Sequence, residues 1–432
     1  MAVDHSLLDA APVAHALGRG GNQKAKNSRI SRTISAIALA VPLEKAIISS
    51  YARAMYRIGA ALTKPIASRP GAFHSIDVLR GLAAIAILVF HYTHFTMGNG
   101  EIALPESSLA SVSLYQSFGY IRTHGAVAVM LFWMISGFVF MHVYAGTPVT
   151  AWTFFVNRFA RLYPLHLLTL LVVAVIQWTS MGVFGHFLIY EVNDAWHFFL
   201  NLFMASEWGF TDRNSFNGPI WSVSVEILIY LLFWIYIRTI RPCLLSSFLL
   251  TLGFLGLFIV AKKSLILCGV YFFAGSSLYA TFTLIPAARY RMALVSSLSA
   301  LAGWALGWIS GVLAPLPTTT LLLGLFAPLL LALALSERMG LHHRFKRLHA
   351  VGDITYSTYL WHSPLQMLFL FGAAAGLWPV AIVLTNAFFV AYLLFVCAVG
   401  YLSFKHIERP AQEILKRQML GTAKPLKAIS AP

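Results

Sequence analysis

The sequence predicts an all-α, polytopic membrane helix bundle with about ten transmembrane helices, and three observations carry that prediction. Hydrophobic residues make up 59% of the 432 positions and charged ones 11%, against roughly 25% charged in ordinary soluble domains. From Ser75 onward the chain falls into nearly charge-free windows of about 20 residues, the length that crosses ~30 Å of hydrocarbon. Lysines and arginines gather between alternate windows, as positive charge does in cytoplasmic loops.

In chain order, spans are expected at 76–97, 125–145, 163–181, 219–237, 243–261, 264–285, 293–311, 318–336, 354–372 and 379–404. Two uncharged runs, Met292 to Ser336 and Ile354 to Phe404, are each long enough for two crossings. Gly311 to Pro317 and Gly376 to Pro379 supply the turns within them. Ten crossings return the chain to the side on which it started. Arg158 with Arg161, Arg238 with Arg241, Arg289 with Arg291, and the cluster Arg338, Arg344, Lys346, Arg347 then all fall on the cytoplasmic side. The loops 98–124 and 182–218 carry one arginine each beside Glu101, Glu106, Glu191, Asp194, Glu207 and Asp212, and are expected outside. Lys262-Lys263 is the exception to the pattern. The protein is therefore expected in the cytoplasmic (inner) membrane with both termini cytoplasmic.

A net charge of +16 raises the question of nucleic acid, and its distribution answers it. Ten of the 31 Lys+Arg precede Ser75 and six follow Phe404, so the charge brackets apolar spans. The partner this implies is the lipid bilayer with its anionic inner leaflet, with no nucleic acid. Cys243, Cys268 and Cys397 stand singly in apolar surroundings, without the spacing of a metal site or a disulfide framework.

Residues 1–74 read as a basic cytoplasmic extension, partly amphipathic or disordered. Its apolar run, Ile34 to Leu43, is too short to cross a bilayer. The following stretch with Arg53, Arg57, Lys64 and Arg69 suits a helix lying on a membrane surface. Residues 75–410 form the expected membrane domain, and 411–432 a short basic cytoplasmic tail.

Polar side chains inside the spans are the candidates for function, because ionisable groups in hydrocarbon are costly and usually face a bundle interior. Arg80 and His91 stand eleven residues apart, close to three helical turns, and so share one face. The plainer alternative is an Arg80 that snorkels or pairs with Asp77, beside a satisfied core histidine. Ser136-Gly137 suits close helix packing better than chemistry. Arg158 and Arg161, at i and i+3, form a fork fit for phosphates or an anchor at the membrane surface. Glu226 lies inside the fourth span, where it needs a cationic partner or a raised pKa. His362 reads as an aromatic-belt or hydrogen-bonded core residue, and Glu408-Arg409-Pro410 as a helix end. No Walker loop, dinucleotide fingerprint, HExxH or His-x4-Asp motif is present.

Six motifs in order then resemble one family. They are Asp77-Val-Leu-Arg80-Gly-Leu with His91 beyond it, Leu131-Phe-Trp-Met-Ile-Ser-Gly-Phe138, Arg158-Phe-Ala-Arg161-Leu-Tyr-Pro164, Trp221-Ser-Val-Ser-Val-Glu226, Thr355-Tyr-Ser-Thr-Tyr-Leu-Trp-His362, and Ile407-Glu-Arg-Pro410. Over about residues 73 to 410 the chain resembles the acyltransferase-3 family of integral-membrane O-acyltransferases. Phe132-Trp133 replaces the phenylalanine pair usual before the Ser-Gly.

The resemblance implies transfer of an acyl group, commonly acetyl, from cytoplasmic acyl-coenzyme A to a hydroxyl of an envelope saccharide or glycolipid. Acyl-CoA is then a co-substrate, with no permanently bound cofactor and no metal. Arg80 and His91 match the family's Arg-x10-His pair, and Arg158 and Arg161 its Arg-x-x-Arg motif. His91 is expected as the proton-transfer group, Arg80 and Glu226 beside it, and Arg158 with Arg161 as the binders of coenzyme A phosphates. The rival class is a ten-helix transporter or proton-coupled carrier, which would also bury Arg, His and Glu. No inverted repeat supports it.

Overall fold

The computed structural model describes residues 49–50, 52–66, 71–98, 102–341 and 349–421. Ile34 to Leu43, Arg69, Arg344, Lys346, Arg347 and the end of the basic tail lie outside the described residues. The chain divides into two units at Ala61 and Leu62. Of the first, the described part is a helical stretch through 52–61 that carries Arg53 and Arg57 and is exposed throughout.

In the second unit ten long helices form where ten spans are expected. They are α1 His74–Phe90, α2 Val127–Tyr144, α3 Ala151–Phe184, α4 Trp221–Thr239, α5 Leu244–Ala261, α6 Ser264–Leu284, α7 Tyr290–Ile309, α8 Thr318–Ser336, α9 Thr355–Ala374 and α10 Asn386–Ser403. An eleventh, α11 Arg409–Leu420, follows. Among the described residues no strand forms and nine helices are long and apolar enough to span a bilayer. The ninth expected span, α9, is not one of the nine. Thr355, Ser357, Thr358, His362, Ser363 and Gln366 dilute its hydropathy, and all are buried inside the bundle, where a helix need not match lipid.

Two further boundaries differ from the sequence reading. α3 runs 34 residues, about 50 Å at 1.5 Å per residue, so it begins well before 163. Arg158 and Arg161 consequently sit within the helix and not at its entry. Glu408-Arg409-Pro410 is no helix end: α10 continues through a π-turn, Phe404–Glu408, into α11. Pro410 falls in the first turn of α11, where a missing N–H is tolerated.

The densest packing joins α2 to α6. A Cβ on Gly137 would land on the carbonyl of Phe272, and one on Gly275 would land on that of Met134. Each glycine thus lets the other helix's backbone approach, and the Ser276 hydroxyl donates across the seam to the Gly137 carbonyl at 3.1 Å. This fulfils the packing role expected at Ser136-Gly137.

The loop between α3 and α4 folds back into the bundle. Asp194 caps its short helix Ala195–Leu202. Asn217, fully buried, donates to Thr169 at 3.2 Å and to the Leu360 carbonyl at 3.1 Å. The second bond has a covalent cause, since Pro364 lacks the N–H that Leu360 would otherwise receive four residues on. Asn217 thereby fixes the start of α4 against the middle of α9.

Candidate active site

The site is built from two adjoining groups of side chains. The first lines a cavity of about 110 Å³ between α1, α2, α3, α4 and α9, reached by Arg80, Arg158, Arg161, Glu226, Ser136 and Tyr359. The second is a histidine cluster of His91, His94 and His362 at the junction of α1 with the 3-10 turn His91–Thr96.

Arg80 is buried and its Nη2 donates to the Gly352 carbonyl at 2.9 Å, with Asp77 Oδ1 at 3.4 Å. The close approach depends on Gly352, whose absent Cβ would strike the Asp77 backbone. The start of α1 is held from a distance in sequence, because Glu337 accepts from the His74 and Ser75 amides at 2.7 and 3.0 Å. Arg80 is thus both partnered by Asp77 and presented to the cavity.

The two arginines of α3 are not equivalent. Arg161 forms an ion pair with Glu408, which is 1% exposed and also accepts from the Ser357 hydroxyl. Arg158 lies over the rings of Phe140 and Tyr144, at 4.9 and 5.9 Å from their centroids, and its Nε has no hydrogen-bond partner. Glu226 lines the same cavity, faces Ser136 and Tyr230, and leaves Oε1 without a partner. Of the two outcomes expected for Glu226, the cationic partner is not found: among the described residues no ion pair reaches it. With Asp77 and Glu408 engaged by Arg80 and Arg161, the cavity offers three guanidinium groups against one further carboxylate, a setting suited to an anionic ligand.

His91 does not line this cavity, although Arg80 on the same helix does. Its Nδ1 lies 2.8 Å from His362 Nε2. The two rings are nearly coplanar, 10° between planes with centroids 4.9 Å apart, as an in-plane N–H···N bond requires. His362 Nδ1 in turn faces the Tyr359 carbonyl, which can only accept. His362 therefore carries its proton on Nδ1 and accepts at Nε2, so His91 donates from Nδ1. The lone pair of neutral His91 is left on Nε2. His362 has the hydrogen-bonded core position expected of it, and also a partner that no local pattern announces, 271 residues away. Tyr359 joins the two groups: its side chain lines the arginine cavity and its carbonyl anchors the histidine pair.

Glu408 and Tyr359 are the functional-site residues that sequence reasoning passed over. Glu408 lay within a quoted motif, and a carboxylate beside an apolar span was the available signal.

A membrane helix bundle with three guanidinium groups around an internal cavity, joined through Tyr359 to a histidine pair, defines a class of integral membrane protein with a site suited to an anionic ligand. Comparison with known proteins makes this particular: the family model described as "Acyltransferase domain" of the acyltransferase-3 group matches residues 73–405, and the chain belongs to that family. It is also similar to "Acyltransferase MdmB" of Streptomyces mycarofaciens, with 29% identity over 170 residues, covering 39% of this chain and 40% of that protein. The alignment spans less than half of the relative's length. No solved structure matches the chain significantly. Its bundle of long apolar helices is that of an integral membrane protein.

Proposed function

We propose that the protein transfers an acyl group, most simply acetyl, from acyl-coenzyme A to a hydroxyl of a cell-envelope saccharide or glycolipid. The observation that supports this reading best is the convergence of Arg80, Arg158 and Arg161 on one buried cavity that ends at the Tyr359–His362–His91 chain. Coenzyme A carries several phosphate charges, and guanidinium groups bind them through paired, charge-assisted hydrogen bonds. Arg158, whose Nε is unpartnered, is the primary phosphate ligand in this scheme. Arg161 positions α3 through Glu408, and Arg80, held toward Asp77 three turns from His91, adds positive charge for the donor phosphates. Glu226 lines the same cavity as Arg158.

His91 Nε2 then removes the proton from the acceptor hydroxyl, whose oxygen attacks the thioester carbonyl carbon. Collapse of the tetrahedral intermediate breaks the carbon–sulfur bond, and the thiolate leaves with the proton that His91 returns. The proposed orientation has both termini in the cytoplasm and the protein in the inner membrane. It opens the arginine cavity to the cytoplasmic donor and places the end of α1 toward the outer face.

Purified full-length protein in lipid nanodiscs, supplied with radiolabelled acetyl-CoA and an envelope extract, tests this. Label should enter the extract and free coenzyme A should accumulate in equal amount. Consumption without label transfer to any envelope component would overturn the acceptor assignment.

A further inference from the structure

Beyond the arginine cavity lies a second, larger chamber of about 510 Å³ at the far end of α1. Phe90, Thr93, Thr96, Glu106, Arg122 and Thr123 line it. It adjoins His91 through Phe90, whose ring centroid is 5.1 Å from that of His91. The volume falls in the range of small-molecule sites.

The lining specifies a chemistry. Glu106 and Arg122 balance in charge, and neither is ion-paired among the described residues. Arg122 Nε lacks a hydrogen-bond partner. Beneath it, with the guanidinium carbon 5.9 Å from its ring centroid, lies the fully buried ring of Tyr115. The hydroxyls of Thr93 and Thr96 donate to the Phe90 and Thr93 carbonyls at 3.1 and 2.7 Å, which leaves their oxygens to accept. A carboxylate to receive hydroxyl protons, a guanidinium to donate, accepting hydroxyl oxygens and one aromatic face match a polyhydroxylated ring. Net neutrality of the wall disfavours an anionic ligand.

We infer that this chamber is the acceptor site and that it takes a neutral, sugar-like ring, presenting one hydroxyl past Phe90 to His91. The inference rests on the acyl-transfer reading for the role of His91, but its site and ligand class stand on the chamber alone. Donor and acceptor then approach the histidine pair from opposite ends of α1.

A binding test keeps the two readings separable. Thr96→Cys in the full-length protein places a thiol in the chamber wall, and its labelling by a membrane-impermeant maleimide is measured against the unsubstituted protein as background. Methyl α-D-glucopyranoside or methyl α-D-mannopyranoside at millimolar concentration should slow labelling at least threefold. Glucose 6-phosphate should protect several-fold less, and Arg122→Gln should abolish protection. Absence of protection by every neutral glycoside, or equal protection by the phosphate, would overturn the proposed ligand class whatever the enzyme does. In the transfer assay, Glu106→Gln and Arg122→Gln should raise the acceptor KM tenfold or more and leave the acetyl-CoA KM within twofold. Unchanged acceptor KM with transfer intact would sink the acceptor site while sparing the acyltransferase reading. Inactive His91→Ala alongside protected Thr96→Cys would uphold both.

Discussion

Arg161 and Glu408, 247 residues apart in sequence, form a buried ion pair that ties the first third of α3 to the junction of α10 and α11. Ser357 of α9 donates to the same carboxylate, so three helices meet on one side chain. Removing one partner leaves a charge buried and uncompensated, at a cost of about 3–5 kcal/mol.

Arg161→Gln and Glu408→Gln should therefore each lower the thermal midpoint in detergent by many degrees. The double substitution should recover much of the loss, since neither charge is then stranded. Additive losses in the double variant would show that the pair contributes nothing as a pair.

Arg158→Gln should behave differently. Loss of one charge-assisted contact of about 1.5–3 kcal/mol to a phosphate raises the acetyl-CoA KM on the order of ten- to a hundredfold. Folded yield should fall less than in Arg161→Gln, because Arg158 stacks on Phe140 and Tyr144 but is in no ion pair among the described residues. Initial-rate kinetics across donor concentration give the answer, and an unaltered KM would confine Arg158 to membrane anchoring.

His91→Ala should reduce turnover by about 10²–10⁴-fold, the contribution of a positioned general base. His94→Ala, which removes a ring stacked 4.6 Å from His91 together with its contacts to Gln366 and Tyr190, should retain most of the rate. His362→Gln, whose amide oxygen can accept where Nε2 did, should keep more activity than His362→Ala. Near-normal turnover in His91→Ala, normalised to folded protein, would overturn the proposed chemistry.

Asp194 offers a pH test outside the spans. Its Oδ1 accepts the His197 amide and faces the His197 Nδ1, each at 2.8 Å, and the amide bond foremost holds its pKa below the usual carboxylate value. A depressed folded pKa gives stability that is complete above the ordinary value of about 3.9 and lost as pH falls through the lowered one. Hydrogen-exchange protection of helix Ala195–Leu202, corrected for intrinsic rates, should stay flat from neutral pH down to about 5 and fall below about 4. Asp194→Ala should remove about 1 kcal/mol of that protection at neutral pH and abolish the acid dependence.

Topology is tested by reporter fusions after Pro105, Asp212 and Arg344, which should read outside, outside and inside. A cytoplasmic signal at Asp212 would invert the proposed access of donor and acceptor.

The sequence by itself determined the helices and most of the residues worth asking about. Hydropathy and helical period are local properties, so ten windows nearly free of charge became ten helices, and Arg80, Arg158, Arg161 and Glu226 were each conspicuous as charges in apolar surroundings. The Gly137 step was legible too, since a small residue in an apolar helix permits backbone contact whichever helix arrives. What only the tertiary structure decided is pairing. Nothing near His91 names His362 as its hydrogen-bond partner, nothing near Pro364 names Asn217 as the donor for Leu360, and Glu408 resembled a helix end until Arg161 and Ser357 met it. Such partners lie scores to hundreds of residues apart and are chosen by which helix faces pack together. That packing also overrode hydropathy at α9, whose polar residues are satisfied by neighbouring helices and so give a bundle-lining helix too polar to count as a span on its own.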